Sequence, residues 1–312
     1  MLYFGAEWLV KGSSSLARGL GISPIVIGLT VVAFGTSAPE LVISVVSSIQ
    51  GKSMIAVGNV IGSNICNIAL ILGLAAVFHP ITCNRSVVRR DIPIMLGISL
   101  YLLLLTLNSR LGRIEGATLV GGILLYIYFN YSVSLKESRQ DPGNGAKDHD
   151  ISTEEVQRIA SRSRQIFLIV VGIAGVVVGA QIVVDCAVKL MTILGVSEKF
   201  IGLTLVAFGT SLPELATSVI AALKKEMDIS IGNLVGSNVF NILAVLGVAS
   251  LMNPISIKGG FVQSGLLIDY LVMFLSSLLV WLMMRKTCTL TLKNGFILLL
   301  FYAGYIIYLM AS

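Results

Sequence analysis

Charge is scarce in this chain. Of its 312 residues only 12% are Asp, Glu, Lys or Arg, against about 25% in an average soluble domain. So few charges cannot clothe a water-facing surface, which excludes a soluble globular fold. Histidine occurs twice, as His79 at the end of an apolar segment and His149 in a polar stretch. The four cysteines (Cys66, Cys83, Cys186 and Cys288) have no CxxC spacing. Zinc, copper and iron sites built from those ligands are therefore disfavoured. The cysteines read as packing residues with no disulfide role. No nucleophile–base pair is evident, so an enzyme is not expected, and no cofactor is implied. No cleavable leader pattern precedes the apolar segments, which would do the targeting themselves. The formal net charge of +6 sits in the loops. Topology-setting Lys and Arg account for it, and no nucleic-acid or protein partner is implied.

What the chain has instead is apolar length. Hydrophobic residues make up 55% and the mean hydropathy is +0.91. Runs near the 20 residues needed to cross a bilayer recur throughout. The sequence reads as an all-α membrane protein with ten transmembrane segments, roughly 1–20, 22–49, 54–78, 91–108, 113–134, 164–191, 197–223, 229–251, 262–284 and 287–310. Residues 135–163 form a polar linker between two five-helix halves, 1–134 and 164–312. Ser152 and Glu155 fit a capping box, so a short helix is expected over 153–163.

An odd number of segments per half inverts the second half relative to the first. Charge supports this. Sixteen of the 22 basic residues fall on the side of the odd-numbered linkers, Arg18, Arg89, Arg90, Lys136 and Lys224 among them. The positive-inside rule makes that side cytoplasmic, with both termini outside and the 135–163 linker inside, in a multi-pass protein of the cell membrane. The first helix is an irregularity. Only Met1 to Phe4 precede Gly5, whereas a long apolar lead precedes the matching Gly179. That helix is expected to be truncated, about ten or more residues short of a full span, with a genuine half-span helix as the alternative.

The two halves share text. Gly28 to Leu41 reads GLTVVAFGTSAPEL and Gly202 to Leu215 reads GLTLVAFGTSLPEL, with 12 identities in 14 positions at an offset of 174. At the same offset, GNVIGSNICNIALILG from Gly58 matches GNLVGSNVFNILAVLG from Gly232. Each copy plants one carboxylate, Glu40 or Glu214, in an apolar segment. A charge within the bilayer is costly and marks a functional site.

Pro39 and Pro213 each follow a glycine by four residues. Proline removes a backbone donor and clashes with the carbonyl four residues back, so both helices should break there. The carbonyls of Ala33, Thr36, Ala207 and Thr210 then lie near the breaks, where a cation can satisfy freed oxygens. Thr36, Ser37 and Glu40 can face one cavity, as can Thr210, Ser211 and Glu214. In the next helices Asn59, Ser63 and Asn67, and Asn233, Ser237 and Asn241, form polar stripes at a spacing of four. All are hard oxygen donors, which suit calcium and sodium. Two carboxylates carry −2. One calcium ion neutralises them, and two or three sodium ions bring the site to zero or +1. Such a site is costly to move empty, the physical basis of obligatory exchange.

The doubled motif, GTSAPE with GNVIGSNICN and GTSLPE with GNLVGSNVFN, resembles the two alpha-repeats of the calcium/cation antiporter superfamily, and the prokaryotic sodium/calcium exchangers in particular. The resemblance covers nearly all of the chain outside the linker. It implies ten helices in two inverted repeats and sodium-for-calcium antiport by alternating access. A proton/calcium or potassium-dependent exchanger on the same fold is the alternative. By motif position, Glu40 and Glu214 would be the central calcium ligands and each would also serve a sodium site. Backbone oxygens of Thr36 and Thr210 would complete the calcium cage. Ala33 and Ala207 carbonyls, with Ser37, Ser211, Ser63 and Ser237, would help hold sodium. Asn67 and Asn241 take the last motif positions. Asn241 departs from archaeal relatives with Asp there, which puts proton coupling and ion count in question. The linker is too short for the regulatory domain of eukaryotic members. Away from the motif, Glu7–Lys11 and Asp185–Lys189 are expected as local ion pairs four residues apart or as side chains snorkelling to the interface. Asp269 is expected at headgroup level, and Tyr302, Tyr305 and Tyr308 in an interfacial belt.

Overall fold

A computed structural model describes residues 1–140, 161–194, 207–257, 260 and 264–311. Helix dominates, because lipid offers no partner for an open backbone amide. We number the helices α1 (Leu2–Leu20), α2 (Pro24–Thr36), α3 (Ala38–Ile49), α4 (Ser53–Phe78), α5 (Ile92–Thr106), α6 (Arg113–Gln140), α7 (Arg162–Ile193), α8 (Ala207–Thr210), α9 (Leu212–Leu223), α10 (Met227–Met252), α11 (Leu266–Met284) and α12 (Leu292–Ala311). Counting α2–α3 and α8–α9 as one broken helix each, the described residues hold five segments on either side of 141–160. Among the described residues, six helices are long and apolar enough to cross a membrane alone, and bent α2–α3 makes a seventh. The helix expected from 153 falls outside the described residues, as does the start of the seventh segment.

The architecture is not purely helical. Two short antiparallel ladders tie loops of one half to loops of the other, pairing Ile81 with Leu290 and Arg110 with Ser256. Short strands in loops pair backbone groups that water or helix would otherwise have to satisfy.

Burial separates the helices by role. α4 and α10 are about four-fifths buried (78% and 83% over their apolar windows), whereas α12 is only 17% buried. The repeated GNxxGSNxxN helices are thus the centre of the bundle and α12 faces lipid. α1 packs antiparallel along α7. A Cβ on Gly172 would come within 2.6 Å of Leu9 N, so only glycine permits that approach. α2 and α10 make a similar contact. A Cβ on Gly236 would lie 2.7 Å from both the Cα and the carbonyl oxygen of Leu29. These contacts bring the motif helix of one half against the stripe helix of the other.

The two acids expected to pair with a lysine four residues on have other partners. Glu7 is bridged by Lys224 Nζ at 2.7 Å, not by Lys11. Asp185 accepts from Gln181 Nε2 at 3.2 Å in place of a Lys189 pair. Tertiary packing brings Lys224 to Glu7, an encounter that spacing along one helix cannot reveal. Tyr305 donates to Asp269 at 3.0 Å, tying α12 to the first turn of α11.

Candidate cation site

The two proline motifs break their helices as the chemistry requires. Pro39 has no N–H for the carbonyl of Gly35. The chain kinks two residues earlier, at Ser37 (φ −82°, ψ 8°), and α2 and α3 meet at 48°. Ser211 (φ −88°, ψ 5°) separates α8 from α9 in the same way. Each break starts a new 12-residue helix with its glutamate in the first turn, Glu40 in α3 and Glu214 in α9. The positive end of a helix dipole therefore lies at each carboxylate.

Both glutamates are fully buried, at 0% exposure. Hydroxyls from the opposite repeat bind them. Ser37 Oγ donates to Glu214 Oε1 at 3.1 Å, and Ser211 Oγ donates to Glu40 Oε1 at 3.4 Å. This swap brings the breaks together at the interface of the two halves. Spacing let Thr36, Ser37 and Glu40 face one cavity but did not say whose acid each hydroxyl meets. Ser37 completes the other half's acid.

The stripe helices close the ring. Ser237 Oγ donates to Glu214 Oε1 at 3.4 Å, and Thr36 Oγ1 lies 3.4 Å from Ser237 Oγ. Thr36 Oγ1 also donates to Asn233 Oδ1 at 3.1 Å. On the mirrored side Ser63 Oγ and Thr210 Oγ1 are 3.4 Å apart. The Ala33 carbonyl accepts the backbone N–H of Ser37 at 3.0 Å. Ala207 opens α8, and its side chain lies outside the described part.

Asn59 and Asn233 brace the site from behind. Asn59 Nδ2 donates to the Glu40 carbonyl at 3.3 Å and to Ser44 Oγ at 2.9 Å, and Asn233 Nδ2 donates to Ser218 Oγ at 3.0 Å. Asn67 and Asn241, both fully buried, use their amide nitrogens in a cross-repeat network with Asn238 and Asn64. Sequence reasoning passed over Asn64, Asn238, Ser44 and Ser218. The signal for the two asparagines was present, since GSN is identical in both copies.

Four of the buried side-chain oxygens without a hydrogen-bond partner belong to candidate site residues: Glu40 Oε2, Glu214 Oε2, Asn67 Oδ1 and Asn241 Oδ1. Among the described residues no basic side chain pairs with either glutamate. An uncompensated buried carboxylate costs several kcal/mol or more, so a mobile cation or a proton must supply the missing charge. Among the described residues no group of three or more His, Cys, Asp or Glu is placed to hold a metal ion. The site therefore rests on two carboxylates and neutral oxygens, a hard donor set suited to alkali and alkaline-earth ions.

A doubly acidic oxygen cluster where broken helices of two membrane-embedded halves meet is the arrangement of a secondary ion transporter. Comparison with known proteins narrows the class. The chain belongs to the sodium/calcium exchanger protein family, which it matches over residues 1–132 and 164–311. It is 31% identical to the sodium/calcium exchanger MaX1 of Methanosarcina acetivorans, over 98% of this chain and 94% of that one. It is 36% identical to the inner membrane protein YrbG of Escherichia coli, over 90% and 86%. The structure is similar to that of the sodium-calcium exchanger NCX_Mj soaked with Na+ and Ca2+, with a TM-score of 0.81 at 32% identity, covering 98% of this chain and 94% of that one. The protein is thus a multi-pass membrane cation antiporter on the exchanger fold.

Proposed function

We propose that the protein exchanges sodium for calcium across the cell membrane, driven by the sodium gradient, and that the two broken helices hold the ions during alternating access. The observation that carries this reading is the swapped pair of Ser–Glu hydrogen bonds, which joins two buried acids from opposite halves and leaves one oxygen of each unpartnered. Glu40 and Glu214 are the central ligands of calcium and also serve sodium. Thr36 and Thr210 contribute backbone oxygens. Ser37, Ser211, Ser63 and Ser237, with the Ala33 and Ala207 carbonyls, complete the sodium positions. Asn67 and Asn241 add neutral oxygens. Two carboxylates balance one calcium ion, whereas two or three sodium ions are needed for zero or +1. Either load removes the uncompensated negative charge, and the empty cavity stays costly to move. The excess of Lys and Arg on the odd-numbered linkers supports a cytoplasmic 135–163 linker and external termini.

Calcium uptake into vesicles preloaded with sodium, with potassium or with neither tests the coupling. Uptake is expected only with sodium inside. Uptake that ignores sodium and follows a pH gradient, or that requires potassium, rejects the reading in favour of a proton- or potassium-coupled exchanger. Glu40→Gln and Glu214→Gln should each abolish exchange without loss of folded protein. Normal transport by either variant removes the site assignment.

A further inference from the structure

The hydrogen bonds of Asn64 and Asn238 go not to the glutamates but to the opposite repeat. Asn64 Nδ2 donates to the Asn238 carbonyl at 3.2 Å and to Met273 Sδ at 3.7 Å. Asn238 Nδ2 donates back to the Asn64 carbonyl at 3.4 Å. With their nitrogens committed, their side-chain oxygens face the last asparagine of the other stripe. Asn67 Nδ2 donates to Asn238 Oδ1 at 3.1 Å, and Asn241 Nδ2 donates to Asn64 Oδ1 at 3.0 Å. All four residues are at most 1% exposed. The network lies where α4 and α10 turn into π-helical segments, Cys66–Ile71 and Asn241–Leu246. Such a change of ladder leaves backbone carbonyls short of donors, and the reciprocal amides supply them.

The consequence falls on Asn67 and Asn241. A primary amide has a donor end and an acceptor end of nearly equal size, so packing alone does not choose between them. Here the choice is forced. Flipping Asn67 would set its Oδ1 against Asn238 Oδ1, acceptor on acceptor. Flipping Asn241 would do the same against Asn64. The unflipped amides leave Asn67 Oδ1 and Asn241 Oδ1 buried and unpartnered, four residues beyond Ser63 and Ser237 on the site-facing stripes.

We propose that Asn64 and Asn238 are positioning residues that fix the amides of Asn241 and Asn67 so that oxygen, and not NH2, is offered to the transported cation. This rests on the cation-site reading above and adds to it the pair of residues that sets ligand polarity. Without that lock the flipped amide would point positive hydrogens at a cation.

A double-mutant cycle tests it, read as the calcium concentration for half-maximal uptake into sodium-loaded vesicles. Asn238→Ala should raise that concentration about tenfold, equivalent to about 1.4 kcal/mol, while the maximal rate changes far less. Asn67→Ala should do the same. In the Asn67→Ala background, Asn238→Ala should add nothing, because the amide it orients is gone. A merely structural asparagine would raise it equally in both backgrounds, and that result overturns the proposal, as does an Asn238→Ala protein with wild-type affinity. If Asn238→Ala does not reach the membrane, Asn64→Ala with Asn241→Ala runs the same cycle on the mirrored pair. Glu40→Gln, assayed in parallel, separates the two claims. If it is inactive and the cycle shows no coupling, the positioning role alone fails. If it transports normally, the cation site itself fails.

Discussion

Gly236→Ala is the substitution for which the structure gives the sharpest outcome. Gly236 lies on α10 directly before Ser237, against the π-helical turn Gly28–Val32 of α2. A Cβ there would lie 2.7 Å from Leu29 Cα, 2.7 Å from Leu29 O and 2.8 Å from Ala33 Cβ. Carbon atoms rest at about 3.5–4.0 Å. Two of the three obstructing atoms are backbone, so rotamer changes cannot relieve the overlap. The helices must part by about 1 Å, and overpacking of this kind costs about 1–3 kcal/mol. The function should suffer more than the stability. Ser237 Oγ is already 3.4 Å from Glu214 Oε1 and from Thr36 Oγ1, at the outer reach of a hydrogen bond. A further ~1 Å breaks the Ser237–Thr36 contact, which spans α10 and α2, and draws the two sides of the site apart. Sodium-driven calcium uptake should fall by about tenfold or more, equivalent to about 1.4 kcal/mol, with a measurable drop in melting temperature in detergent. Gly304→Ala is the control. Gly304 is exposed on α12 and a Cβ there meets nothing within 4 Å, so uptake should be unchanged. Wild-type transport by Gly236→Ala would refute the packing of α2 on α10 and the site geometry that depends on it.

Two further outcomes test the loops. Burial pushes the Cys83 thiol, in the loop after α4, up to about 12. The thiolate is the reactive form, so alkylation of Cys83 in folded protein should still be accelerating above about pH 10, where an ordinary thiol has levelled off. A plateau near about pH 10 by mass spectrometry would place this loop in open water. The Lys224–Glu7 bridge is about a third exposed on either side (35% and 28%). Lys224→Met should therefore lower stability by at most about 1 kcal/mol, with the difference from wild type shrinking in high salt. A large, salt-insensitive loss would show a tighter clamp of α1 onto α9.

The repeats determined a great deal before any coordinates. The offset of 174, the odd count of segments per half and the side preference of Lys and Arg are properties of the linear chain. They define an inverted pair of five-helix halves because bilayer thickness and backbone satisfaction leave so few alternatives. Pro39 and Pro213 announced the helix breaks because a missing N–H is a local fact. The scarcity of His and Cys beside paired acids announced hard-cation chemistry for the same reason.

Which half serves which acid was decided in three dimensions. Periodicity can put Ser37 and Glu40 on one face, but only the meeting of the two breaks gives Ser37 to Glu214 and Ser211 to Glu40. The orientation of Asn67 and Asn241 likewise depends on Asn238 and Asn64, more than 170 residues away in the chain. Glu7 finds Lys224, and not its neighbour Lys11, by the same route. One-dimensional spacing records what a residue can reach along its own helix. It carries nothing about partners supplied when the second, inverted copy closes on the first, and it is there that each buried polar atom of the site is either satisfied or left open for an ion.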